Sequence, residues 1–224
     1  MKVALLLMAL AASTGVRAQT IPTTGAMPAS FIPKGYRQLR EGRATGDLNG
    51  DGLPDVVLAL APSAEADQSI PADENAAHLP PRLLVVLWRT LTGYRLATLA
   101  RKALLCRGCG GMYGDPFQGL TIARGVLSIY HYGGSSWRWT VTGKFRYQQG
   151  SFYQIGETYN LMQVSAENCP GLDSRPGDQY RDVNLLTGAY EVKRVSETCE
   201  LLENRHGKQP VRPLRKLDDY KPQP

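Results

Sequence analysis

Between Asp55 and Val195 the chain consists of short apolar and aromatic runs closed by glycine turns, a pattern that restricts it to β-structure. Asp55–Leu60 is nearly continuous apolar sequence, and Arg82–Arg89 (RLLVVLWR) is a second such run. Thr92-Gly93 is a turn signal, and Tyr94–Leu99 follows as a partner strand. Ala97–Leu105 reads equally as a short helix. Leu120–Ala123 and Val126–Tyr132 flank a turn at Arg124-Gly125. Trp137, Trp139 and Val141 share one parity, as residues on one sheet face do. Gln148–Ser151 leads to Phe152–Tyr159, and Tyr180–Leu186 and Ala189–Val195 form a last hairpin around Thr187-Gly188. The glycine-rich stretch Cys106–Gly119 fits no regular element, and Ala61–Pro81 is a long polar insert. Strands joined by short turns predict a mainly β single domain with an antiparallel meander.

The ends differ from this body. Lys2 followed by the apolar run Val3–Ala12 and by Val16-Arg17-Ala18 has the make-up of a cleaved secretory signal, residues 1–18. That run is too short to span a bilayer, and no second run of membrane length follows. Residues 19–33 read as a Pro-rich leader, residues 34–205 as the domain, and residues 206–224 as a disordered basic tail. The chain carries 26 basic and 20 acidic residues. Loss of Lys2 and Arg17 leaves an excess of four positive charges, and the segment from Arg205 onward holds six basic and two acidic residues. The body is therefore balanced, which argues against a nucleic-acid surface. The tail is expected to be dispensable, with charge enough to adhere to anionic envelope polymers.

Four cysteines in an exported chain imply disulfides, and three pairings exist. The two sequence-local pairs, Cys106–Cys109 and Cys169–Cys199, are expected. Cys106-Arg-Gly-Cys109 lacks the following helix of a thioredoxin-type redox pair, and no second CxxC or His pair completes a zinc site.

One segment carries sharp chemistry. Asp47-Leu48-Asn49-Gly50-Asp51-Gly52-Leu53-Pro54-Asp55 has the spacing D-x-N-x-D-G-x-x-D. Calcium takes six to eight oxygens, roughly 2.3–2.6 Å away, from a loop that folds round it. Positions 1, 3 and 5 aim side-chain oxygens inward, Gly52 permits the sharp turn, and Leu53 offers its carbonyl. Asp55 closes the site directly or through water. The EF-hand pattern stops there, because Leu58 stands where the bidentate glutamate belongs. The stretch TGDLNGDGLPDVVLAL, Thr45–Leu60, instead resembles the calcium loop of the FG-GAP/VCBS repeat family. The resemblance implies calcium as a structural cofactor, held by Asp47, Asn49, Asp51, the Leu53 carbonyl and Asp55. Propellers of that family repeat the loop in every blade, and a second copy is missing here. With about 170 residues in the body, a small sandwich or open blade-like sheets are expected rather than a closed propeller.

The second candidate region is Cys109–Phe117 with Tyr130–Trp139. Glycines there let a ligand approach backbone, and tyrosine and tryptophan offer faces for stacking. Asp115, His131, Trp137 and Trp139 are its candidate ligand-binding residues. Asp115, His131 and Ser135 supply the residue types of a hydrolytic triad, although the serine lies outside any G-x-S-x-G elbow. The expected function is an exported, non-enzymatic, calcium-binding β-domain with an extracellular or envelope partner, periplasmic or secreted. The alternatives are a small hydrolase, or an extracellular inhibitor or adhesion protein, using the Asp115/His131/Trp137 region.

Overall fold

The computed structural model describes residues 20–66 and 79–224. The expected signal, residues 1–18, and much of the polar insert lie outside the described residues. The described chain forms two open antiparallel sheets. The first contains β1 (Thr24–Gly25), β2 (Tyr36–Gly46), β3 (Asp55–Pro62), β4 (Leu83–Thr90) and β5 (Gly93–Ala100), in the order β1-β5-β4-β3-β2. The second contains β6 (Phe117–Ala123), β7 (Val126–Gly134), β8 (Trp137–Gln148), β9 (Ser151–Gln163), β10 (Gln179–Asn184), β11 (Ala189–Val195) and β12 (Leu201–Lys208). These seven strands follow one another as neighbours, so this sheet is the expected meander. Ala97–Ala100 continues β5 as strand, which decides against the helical alternative. Within the stretch expected to be irregular, Arg107–Tyr113 forms short 3-10 turns and the last three residues, 117–119, already belong to β6. Among the described residues no helix is long and apolar enough to cross a membrane.

Burial explains the sequence patterns. β7 alternates, with Leu127, Ile129 and His131 buried, because one face of its sheet meets the core. β3 is buried at every position, which is why its sequence reads as one apolar run. Val57, Ala59 and Ala61 of β3, with Leu84, Val86 and Trp88 of β4, join Leu127, Ile129, Phe145 and Phe152 of the second sheet in one core. Trp88 stacks on Phe152, with centroids 5.4 Å apart, and meets Tyr147 edge-on at 4.9 Å. The opposite residues, Val56, Leu58, Leu60, Leu83, Val85 and Leu87, face a separate cluster.

That second cluster corrects the reading of residues 19–33 as a mere leader. Ile21 and Phe31 are buried in it beside Tyr36, and β1 pairs with β5 through Thr24↔Arg95 and Gly25↔Tyr94. A sheet buried on both faces needs a cover on each, and the leader supplies one of them.

The tail also departs from expectation. Residues 206–208 belong to β12, which pairs with β11 from Ala189↔Lys208 to Val195↔Leu201. Beyond Pro210 and Pro213 the chain returns along β9, where the Gln154 N–H donates to the Arg215 carbonyl at 2.8 Å and Tyr153 bridges Lys216. Leu217 and Tyr220 are then buried in the main core, Tyr220 edge-on to Phe145 at 4.9 Å. Thr98 of β5 donates to Asp218 at 2.7 Å, tying the segment to the first sheet. Prolines exclude regular structure from this segment without excluding packing, and the aromatic anchor Tyr220 outweighs the scarcity of aliphatic residues.

Both expected disulfides are present, Cys106–Cys109 and Cys169–Cys199. The second closes a 30-residue separation, worth about 3–4 kcal/mol in the chain-entropy account. Two disulfides and no free cysteine among the described residues suit an oxidising compartment.

The tail's new role is directly measurable. A chain ending at Lys208 is expected to melt well below the full chain. Leu217→Ala alone should cost about 2–5 kcal/mol in urea unfolding, as deletion of a buried leucine does. An unchanged melt in both would show that the segment only lies on the surface.

Candidate functional site

The loop between β2 and β3 is folded by its own carboxylates. Asp47 accepts the Gly50 N–H on Oδ1 at 2.7 Å and the Gly52 N–H on Oδ2 at 2.9 Å. Asn49 Oδ1 accepts the Asp51 N–H, and Asp51 Oδ1 accepts the Leu53 N–H at 2.8 Å. The Asn49 amide also donates to Asp51 Oδ2 at 2.9 Å. Gly50 and Gly52 both hold φ of +81°, a left-handed conformation that disfavours any side chain. Leu48, between the polar residues, is buried in the main core and anchors the loop to the sheets.

Asp55 is different in kind. As the first residue of β3 it is fully buried, accepting the Leu48 N–H at 2.9 Å and the Arg89 N–H of β4 at 2.9 Å. Hydrogen bonds from the Gly52 and Gly50 backbone hold the Asp47 carboxyl below the usual range. Burial pushes Asp55 up, against the Leu48 and Arg89 N–H groups, and the charges of Asp51 and Asp47 add to the rise. The donor set is all oxygen, as calcium requires. Among the described residues, however, no three His, Cys, Asp or Glu side chains are grouped to hold a metal ion. The loop presents the right chemistry in a conformation spent on its own N–H groups.

The second candidate region is organised by a residue the sequence reading overlooked. Arg82, at the head of β4's apolar run, is almost fully buried. Its Nε and one terminal nitrogen donate to Glu65 at 2.9 and 2.7 Å. The two terminal nitrogens also reach Asp115 at 2.7 and 2.6 Å, and one donates to the Leu105 carbonyl at 3.0 Å. Burial disfavours the guanidinium charge, but hydrogen bonds to Asp115 and Glu65 outweigh it and hold the proton more tightly than usual. A charged residue adjoining an otherwise apolar strand was the available signal. Glu65, its second partner, lies in the insert and carried none.

His131 lies beside this cluster and is 2% exposed. Its Nε2 accepts a long hydrogen bond from the Leu105 N–H, 3.4 Å, and its Nδ1 has no partner among the described residues. Burial, reinforced by the Arg82 charge and opposed by Asp115, lowers its pKa to about 4, so the ring is neutral at physiological pH. Ser135 is exposed at the β7–β8 turn, where its N–H donates to the Trp137 carbonyl at 2.9 Å. Among the described residues no hydrogen bond links Asp115, His131 and Ser135, and Asp115 is committed to Arg82.

The tryptophans are separately engaged. A Cβ at Gly133 would come within 2.4 Å of Trp139, and one at Gly177 within 2.2 Å of Trp137, so each ring lies against glycine backbone. Beside them, the Arg138 guanidinium lies 5.3 Å from the Tyr113 ring and 5.9 Å from that of Tyr132, a cation–π ledge. Asp115 and His131 belong to the buried cluster, and Trp137 and Trp139 each cover backbone.

The fold and sites define a two-sheet antiparallel β-protein with a carboxylate-shaped loop at one turn and a buried arginine cluster near one end. No family model matches the chain, and neither a curated protein nor a solved structure matches it.

Two measurements test the buried cluster. His131 binds its proton in the unfolded chain near pH 6.5, but in the folded one only near pH 4. Its contribution is therefore complete above pH 6.5 and lost as pH falls toward 4, on the order of 3 kcal/mol. His131→Asn should flatten stability across that window, read as urea midpoints against pH. Arg82→Ala leaves Glu65 buried without its cation and should cost about 3–5 kcal/mol. A loss within experimental error would remove the cluster from its structural role.

Proposed function

We propose that the chain is an exported, non-enzymatic binding domain, periplasmic or secreted, whose β2–β3 turn is steadied by one calcium ion in an FG-GAP/VCBS-type loop. The observation that carries this reading is the passage from loop to strand. Asp47 to Leu53 form a turn with two left-handed glycines, and Asp55, one of the implied ligands, is already the buried first residue of β3, bonded to β4 at the Arg89 N–H. An ion at this loop would stiffen the sheet itself, which suits a structural role better than a signalling one.

Asp47, Asn49, Asp51, the Leu53 carbonyl and Asp55 would hold the ion, which supplies positive charge to offset three neighbouring carboxylates. The rest of the contribution is the protein's own. Leu48 anchors the loop in the core, and Gly50 and Gly52 supply its left-handed turns. Support for a non-enzymatic role comes from the candidate acid and base. Asp115 is engaged by Arg82, and His131 is buried and neutral. The two disulfides support export.

The test is calorimetric titration of the mature protein with calcium, alongside melting with calcium and with chelator. Binding with a raised melting temperature is expected, because an ion held only by the folded loop stabilises by mass action. Asp51→Ala should abolish both signals, since it removes a central ligand and one of the charges. Absence of heat together with an unchanged melt in chelator would sink the calcium reading.

A further inference from the structure

One cavity lies away from both candidate regions. A groove of about 610 Å³ runs between β9 and β10 on one side and the returning segment Gln209–Arg215 on the other. Its size is that of a ligand cleft, within the usual range of about 300–1,000 Å³. Four basic side chains line it: Arg181 from β10, and Arg212, Arg215 and Lys221 from the C-terminal segment. Among the described residues Glu157 is the one acidic residue in the lining, and it already accepts a hydrogen bond from the Gln154 amide at 2.9 Å.

Some cations elsewhere in the fold are paired with carboxylates. Lys144 pairs with Asp182, Arg205 with Glu203, and Arg82 with Glu65 and Asp115. Arg181, Arg212, Arg215 and Lys221 are all exposed, and among the described residues none has a side-chain hydrogen bond or ion pair. Four like charges held round one cleft repel each other, and an anionic ligand relieves that repulsion. Arginine forks match carboxylates in a planar, two-bond geometry.

The uncharged lining narrows the ligand. Val183, Leu185, Val211 and Leu214 give the groove an aliphatic strip, and Gln154, Gln209 and Gln223 add amides able to meet a peptide backbone. Among the described residues no aromatic side chain lines it, so they supply no stacking platform of the kind used for sugar rings and nucleobases. We propose that this groove docks an acidic peptide segment of a partner protein, its carboxylates on the arginines and its aliphatic side chains on the strip. The proposal rests on reading the chain as a binding domain. It is independent of calcium, because the groove shares no residue with Asp47–Asp55.

The experiment is fluorescence-anisotropy titration of the full mature chain with a labelled peptide alternating glutamate and valine. Its glutamine-for-glutamate counterpart, and a sulfated oligosaccharide of equal charge, serve as comparisons. The glutamate peptide should bind, with affinity falling as salt rises. The glutamine peptide, and the variant R181Q/R212Q with the glutamate peptide, should each bind about tenfold or more weakly. If that variant melts early, K221Q provides the same reading at one exposed position. Binding should persist in chelator, so loss of calcium heat and loss of peptide binding are separate results. Equal binding of the two peptides, undiminished binding by the folded variants, or tighter binding of the oligosaccharide than of the glutamate peptide would overturn the proposal.

Discussion

Burial of β3 and β4 on both faces is the constraint from which the rest of the architecture follows. An antiparallel sheet commonly leaves one face to water, and its strands then alternate. Here Val57 and Val86 point into the core shared with the second sheet, while Leu58 and Val85 point into the cluster that holds Ile21 and Phe31. Two covers are therefore required for one sheet. The second sheet provides the first, and the N-terminal segment provides the other by laying Phe31 over the strands and adding β1 at an edge. The C-terminal segment completes the shared core by inserting Leu217 and Tyr220 beside Phe145. Segments that are polar and Pro-rich on average are held by a few large apolar residues each.

The arginine cluster shows how chemistry-bearing residues can be absorbed by the fold. A buried guanidinium is tolerable only with its donors met and its charge compensated. Arg82 achieves this with Glu65, Asp115 and the Leu105 carbonyl, which gathers the insert, the start of β4 and the glycine-rich stretch at one place. Asp115 is thereby committed to hydrogen bonds with Arg82. His131, pressed against the same cluster and edge-on to Phe117, is kept neutral by burial and by the neighbouring positive charge. Two of the residue types that suggest hydrolysis in one dimension lie beside Arg82 in three.

The functional candidates that remain sit at the margins of the core. The Asp47–Asp55 loop is a turn of the first sheet, anchored inward by Leu48 and Asp55 and otherwise open to water. The basic groove belongs to the second sheet where it extends through β9 and β10, and the returning C-terminal segment forms its other wall. That arrangement converts the positive excess of the tail from a diffuse property into a located one, because the Leu217 and Tyr220 anchors hold Arg212, Arg215 and Lys221 against the sheet.

Local features were legible from the sequence because their causes are local. Strand positions follow from alternation and apolar runs, turns from Thr92-Gly93 and Thr187-Gly188, and the two disulfides join cysteines near each other in the chain. The turn from Asp47 to Leu53 was legible for the same reason, since its shaping hydrogen bonds span at most five residues. Roles set by distant partners were not legible. Whether Asp115 meets His131 or Arg82, 33 residues earlier, depends on how the sheets are juxtaposed. Whether Tyr220 is solvated or buried depends on the space beside Phe145 and Gly143. The sequence by itself determined the strands from β3 to β11, their turns and the loop that offers oxygens. The tertiary structure decided which polar residues are buried, which termini are core and which cations are left facing an open groove, because those outcomes depend on non-local packing and on the desolvation that comes with it.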